Sequence, residues 1–161
     1  MSIITSEYIN VREKILLLNC THPTGIFIIP SGFESAKSVN DFRMLSEAST
    51  VKKLLKASSI EVDSITHQKI PFIQNNSHEW IAPTIFYATS LLFENPDVVA
   101  VSLGVIGNYV TDMLKGISHN PSVTLNIVVE KPSGKCVKIE YKGHTDGIKE
   151  LTKLVKEASR D

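Results

Sequence analysis

Two runs near the end of the chain, "VTLNIVVE" and "CVKIEYK", alternate apolar and polar residues at a period of two, and this constrains the fold more than any other feature. The first puts Val123, Leu125, Ile127 and Val129 on one face, and the second does the same with Val137, Ile139 and Tyr141. "KPSG" between them carries turn chemistry, so a β-hairpin is predicted. Its apolar face needs a cover, and the next segment supplies one. From a cap at Thr145 or Asp146, Ile148, Leu151, Leu154, Val155 and Ala158 form one helical stripe, while Lys149, Glu150, Lys153, Lys156 and Glu157 face water. A helix lying across a sheet is therefore predicted.

The second constraint is the apolar run "PDVVAVSLGVIGNYVTDMLKG" over residues 96–116. Asn95 serves as a cap, Pro96 stands where a missing donor costs nothing, Asp97 complements the positive helix end, and Gly116 provides a stop. On the predicted helix Val99, Leu103, Ile106, Val110 and Met113 make a broad aliphatic stripe. Leaving it in water would forgo on the order of 10 kcal/mol, at about 1.5–3 kcal/mol for each side chain, so internal packing of that side is expected. Ala100, Gly104, Gly107 and Thr111 make a second stripe of small groups. Each interior glycine costs about 1 kcal/mol relative to alanine, which a closely approaching backbone would offset. That neighbour is either a preceding helix over residues 81–93 or an element of another molecule.

Upstream, "KILLLNC" (14–20) and "GIFIIPSG" (25–32) are apolar runs separated by "THPT" and read as two neighbouring strands. Ser38 and Asp41 form a capping arrangement opening a helix to about Lys56, with a break near Ser49. Two-residue spacing of Ile60 with Val62, and of Ile70 with Phe72, predicts one or two half-buried strands, and Pro71 favours an edge. The expected fold is α+β: one domain over residues 1–161, with a mainly antiparallel sheet of about five or six strands covered by the C-terminal helix and a central apolar helix pair. Its parts are an N-terminal strand and helix half (1–74), the helix pair (79–116), and the hairpin with its closing helix (121–161). A ferredoxin-like arrangement is compatible with this order.

Seventeen basic residues balance seventeen acidic ones, so no net field gathers nucleic acid, and the trio Lys52, Lys53 and Lys56 reads as a solvated helix face. Cys20 and Cys136 stand beside apolar residues and suit buried thiols of a reducing compartment. The opening "MSIITSEYINVREK" lacks a basic start followed by a long apolar run, so a cytoplasmic address is expected. A bilayer span needs about 20 apolar residues, and the 96–116 segment contains Asn108 and Asp112. Cys20 with His22 is only a two-ligand pair, "HEW" at 78–80 lacks a second histidine four residues on, and "GHTDG" at 143–147 matches no phosphate loop. No metal, cofactor or catalytic constellation is predicted, and the chain is read as a protein that is not an enzyme. Cys136 and Ser133 lack an identifiable base.

The order formed by "VSLGVIGNYVTDMLKG", "VTLNIVVEKPSGKCVKIEYKG" and "GIKELTKLVKEA" resembles the effector-associated constant components, small adaptor domains of bacterial conflict and antiphage systems. The resemblance covers about the last 80 residues and rests on layout. It implies a non-catalytic intracellular adaptor, acting in antiviral defence by oligomerisation or by docking a protein partner. The expected contact residues lie around the helix pair: Trp80, Ala100, Gly104, Gly107, Tyr109 and Thr111. Two alternatives are a membrane-acting effector that inserts the helix pair, and a small-ligand sensor or enzyme using His22, His67 or His144.

Overall fold

The structure, a computed structural model, describes residues 2–74, 80–115 and 122–161. The first half contains β1 (Ser2–Tyr8), α1 (Val11–Leu17), β2 (Ile26–Ile29), β3 (Met44–Leu45), α2 (Glu47–Ala57), β4 (Val62–Asp63) and β5 (Phe72–Ile73). The second half contains β6 (Trp80–Ile81), β7 (Thr84–Tyr87), α3 (Thr89–Glu94), α4 (Val98–Leu114), β8 (Val123–Glu130), β9 (Cys136–Gly143) and α5 (Leu151–Ala158). Short 3-10 turns at Val39–Asp41 and Thr145–Glu150 precede β3 and α5.

The main sheet runs β1-β9-β8-β7-β2-β4, with β6 beside β8, and β3 pairs separately with β5. The long pairings of β1 with β9, β9 with β8 and β2 with β7 are antiparallel, whereas β7 and β6 run parallel to β8, and β4 runs parallel to β2. The class is thus mixed α and β with a mostly antiparallel sheet. The hairpin expected from "VTLNIVVEKPSGKCVKIEYKG" is β8–β9, and its turn uses Gly134 at φ +92°, a left-handed conformation that favours glycine.

Each face of the sheet has its own core. On one, Val99, Leu103, Ile106 and Val110 of α4 join Ile85, Tyr87, Leu125, Ile127, Ile139 and Tyr141 of the strands, together with Leu151 and Val155 of α5. On the other, Val11 and Ile15 of α1 and the loop residues Phe33 and Phe42 cover Phe27, Phe86 and Val128. The two faces meet in β7, which is central and buried on both sides, so its apolar residues run consecutively instead of alternating.

Four segments differ from the expected elements, and two caps are displaced: α4 begins at Val98 behind Asp97, with Asn95 closing α3, and His144, not Thr145 or Asp146, caps the turn before α5. "KILLLNC" is not a strand. Asn10 accepts the Glu13 amide at 3.0 Å, Val11, Ile15 and Leu18 are buried at helical spacing, and Asn19 ends the turn at φ 56°, so the segment is α1. The helix expected over residues 81–93 is confined to the six residues of α3, because Ile81 and Ile85–Tyr87 pair with β8 as parallel strands. The capping box at Ser38 and Asp41 is present but opens only a 3-10 turn. Met44–Leu45 pairs with Phe72–Ile73 before α2 begins at Glu47. Ser2–Tyr8, not read as a strand, forms β1. The stop at Gly116 lies outside the described residues.

Two polar contacts tie these layers together. Tyr87 and Ser102 are both fully buried, with hydroxyl oxygens 2.6 Å apart, and Ser102 donates to the Val99 carbonyl at 3.1 Å. Ser102 has only one hydrogen to give, so Tyr87 is the donor of the shorter bond. It links the central strand to α4. Near the far end of β8, the buried Glu130 carboxylate accepts Arg12 of α1 at 3.2 Å and the Thr89 amide of α3 at 3.1 Å.

Candidate interaction face on helix α4

Helix α4 is anchored by one side only. Val98, Val99, Ser102, Leu103, Ile106, Gly107, Val110 and Leu114 are buried, at the spacing the aliphatic stripe requires. Ala100, Val101, Asn108, Thr111 and Asp112 are exposed on the opposite side. From Val98 to Thr111 the helix carries no charged residue. Its one charge, Asp112, pairs with Lys115 at 3.2 Å in the last turn. The outward surface over most of the helix is therefore uncharged and low in relief.

The predicted small-residue stripe is divided between the two sides. A Cβ built on Gly107 would meet the Ile148 side chain at 3.7 Å, so this glycine lies under the 3-10 turn that leads into α5. A Cβ on Gly104 would meet nothing within 4 Å. The backbone at Gly104 is open, and among the described residues no close approach accounts for a glycine there. Ala100 and Thr111 are also exposed, and the Thr111 hydroxyl donates to the Gly107 carbonyl at 2.7 Å. Tyr109 is half-buried and packs against the core. Trp80 lies in β6, paired with Val123.

The structure thus brings Ala100, Gly104 and Thr111 onto one open face, with Gly107 covered and Tyr109 at its margin. Sequence reasoning missed Val101, which is 46% exposed. At 100° per residue it falls outside both stripes, beside Asn108, and the presence of an aliphatic residue in that remaining sector was the available signal. Phe93, at the end of α3, also projects into solvent.

The competing chemistries find little to assemble them. His22 precedes β2 and donates through Nδ1 to the Pro23 carbonyl at 2.6 Å, His67 lies between β4 and β5, and His144 caps the final 3-10 turn by accepting the Asp146 amide at 3.3 Å. Among the described residues no group of three metal-ligating side chains is found. Burial pushes the thiols of Cys20 and Cys136 above their ordinary value, the wrong direction for a nucleophile. "GHTDG" is a packed turn: the Tyr141 hydroxyl donates to the His144 carbonyl and lies over Gly147, where a Cβ would collide with it. Among the described residues no helix is long and apolar enough to cross a membrane.

Fold and surface together define a mixed α and β domain with an uncharged helix face turned outward. No family model matches the chain, and no curated protein or solved structure matches it.

Proposed function

We propose that this chain is a non-catalytic interaction module, an adaptor that docks a helix of another protein along the outward side of α4. The observation that carries the proposal is that side's make-up: no charge from Val98 to Thr111, an exposed aliphatic at Val101, and a bare backbone at Gly104. Solvated helix faces of globular domains are normally charged, and glycine in a helix costs stability, so a surface that is both uncharged and flattened fits contact better than solvation. The resemblance to adaptor domains of bacterial conflict systems supports the same role, with an effector or sensor protein as the partner and antiviral defence in the cytoplasm as its setting.

A photo-activatable cross-linking residue at Val101, with a second at the exposed Lys153 of α5 as the control, tests this in the native host. A discrete adduct at position 101 that is missing at 153 is expected, its mass identifying the partner. Equal adducts at both positions, or none at 101, would remove the proposal.

A further inference from the structure

Among the described residues the main sheet has two free edges, and they are built differently. At one edge, β4 is only two residues long, and its Asp63 carboxylate is engaged by the amides of Thr24 and Gly25 at 3.0 and 2.9 Å. At the other, β1 spans seven residues in unbroken one-to-one register with β9, from Ser2 opposite Lys142 to Tyr8 opposite Cys136. Free edges are ordinarily blunted by brevity, lysine, proline or a bulge, because their unpaired amides and carbonyls invite another strand. The sequence "SIITSEY" has no lysine and no proline, its register has no bulge, and five of its seven residues are exposed. In an antiparallel ladder alternate residues turn their N–H and C=O away from the neighbour, so β1 offers a full outer row of backbone donors and acceptors. One edge of this sheet is protected and the other is not.

We propose that β1 is an intermolecular edge at which two copies of this chain join by antiparallel pairing about a twofold axis at Thr5, giving one sheet continuous through both molecules. The strand is complementary to itself in that register. Thr5 faces its own copy, a favourable cross-strand pair; Ile4 stands opposite Ser6, Ile3 opposite Glu7 and Ser2 opposite Tyr8. Glu7, the only charge in β1, is never set against itself. The two Ile4 side chains, each 55% exposed in the single chain, become diagonal neighbours across the axis and cover one another. Balanced charge over the whole chain leaves no long-range repulsion between copies. The main neighbour of β1 is β9, so this contact is independent of the outward side of α4.

Sedimentation across a wide dilution series, on the full chain and on the variants Ile4→Lys and Gly104→Glu, tests the inference. Ile4→Lys changes only a side chain, leaves the β1–β9 backbone pairing intact, and sets two like charges diagonally across the axis. The expected result is a dimer weakened at least about tenfold by Ile4→Lys and unaffected by Gly104→Glu. Amide exchange supplies the second readout: protection over residues 2–8 rises with concentration in the parent and not in the lysine variant. A chain monomeric throughout, a dimer indifferent to Ile4→Lys, or a dimer lost in Gly104→Glu would each overturn the proposal. None of these outcomes depends on whether α4 captures a partner.

Discussion

Glu130, at the end of β8 and only 1% exposed, meets the guanidinium of Arg12, whose own side chain is 48% exposed, at 3.2 Å. One charge is inside the protein and its partner is at the surface. Among the described residues the Thr89 amide is the carboxylate's other donor, so this single group ties α1 and the start of α3 to the sheet. Removing the two partners should therefore have unequal effects. Arg12→Ala leaves a buried carboxylate with only an amide to satisfy it and should cost about 1–3 kcal/mol; Glu130→Gln keeps the acceptor and the shape and should cost about 1 kcal/mol. Urea titration of both variants gives the order, and an Arg12→Ala protein as stable as the parent would show that the pair does not hold α1 in place.

The buried Tyr87–Ser102 bond makes a prediction at alkaline pH. Burial raises the Tyr87 phenol well above its ordinary value. A raised native value means that its contribution is complete below the unfolded value of about 10 and declines above it, because the unfolded chain then ionises while the folded one resists. The parent should be more stable than Tyr87→Phe by about 1 kcal/mol at neutral pH, a gap that narrows as the pH passes about 10. Denaturation of both proteins at neutral and alkaline pH measures it. A gap that widens instead would contradict the burial argument.

At Gly147 the constraint is steric. An added Cβ would collide with the Tyr141 hydroxyl, itself fixed by the His144 carbonyl. Gly147→Ala should cost about 1–3 kcal/mol by overpacking. Tyr141→Phe removes the nearest clashing atom and frees the ring from its hydrogen bond, leaving the Cζ contact at 2.7 Å to be relieved by a ring shift, so the double variant should be less destabilised than the two single effects added together. Strict additivity in chemical denaturation would mean that the two residues do not meet in solution.

How far the sequence discloses this fold can be traced through individual residues. The β8–β9 hairpin and the helix across it are legible because each has one wet and one dry side, so hydrophobic period and structural period coincide. β7 is not legible. Phe86 and Ile85 are buried on opposite faces of the sheet, which erases alternation and leaves "TIFYATSLLF" with the look of a helix. "KILLLNC" misleads in the other direction, since Leu16 and Leu17 are exposed apolar residues that disguise the Val11, Ile15 and Leu18 spacing. Asn10 followed by Glu13 was the local cue to that helix. In α4 both sides could be read from sequence, but which glycine was covered could not, because that depends on Ile148 arriving from a distant turn.

That last difference supports a final prediction. Both glycines of α4 lower its intrinsic helicity, yet only Gly107 has a neighbour over it. Gly104→Ala should raise stability by up to about 1 kcal/mol, since a methyl group there enters open space and restricts only the unfolded chain. Gly107→Ala should gain less, because its methyl must fit against Ile148 at ordinary contact distance. If Gly104 is retained for docking, the more stable Gly104→Ala protein should also cross-link less efficiently from position 101, so that stability and contact change in opposite directions. Thermal unfolding and cross-linking yield on the same preparation separate the two effects. A variant that is both more stable and equally well captured would leave the bare backbone at Gly104 without a role in the contact.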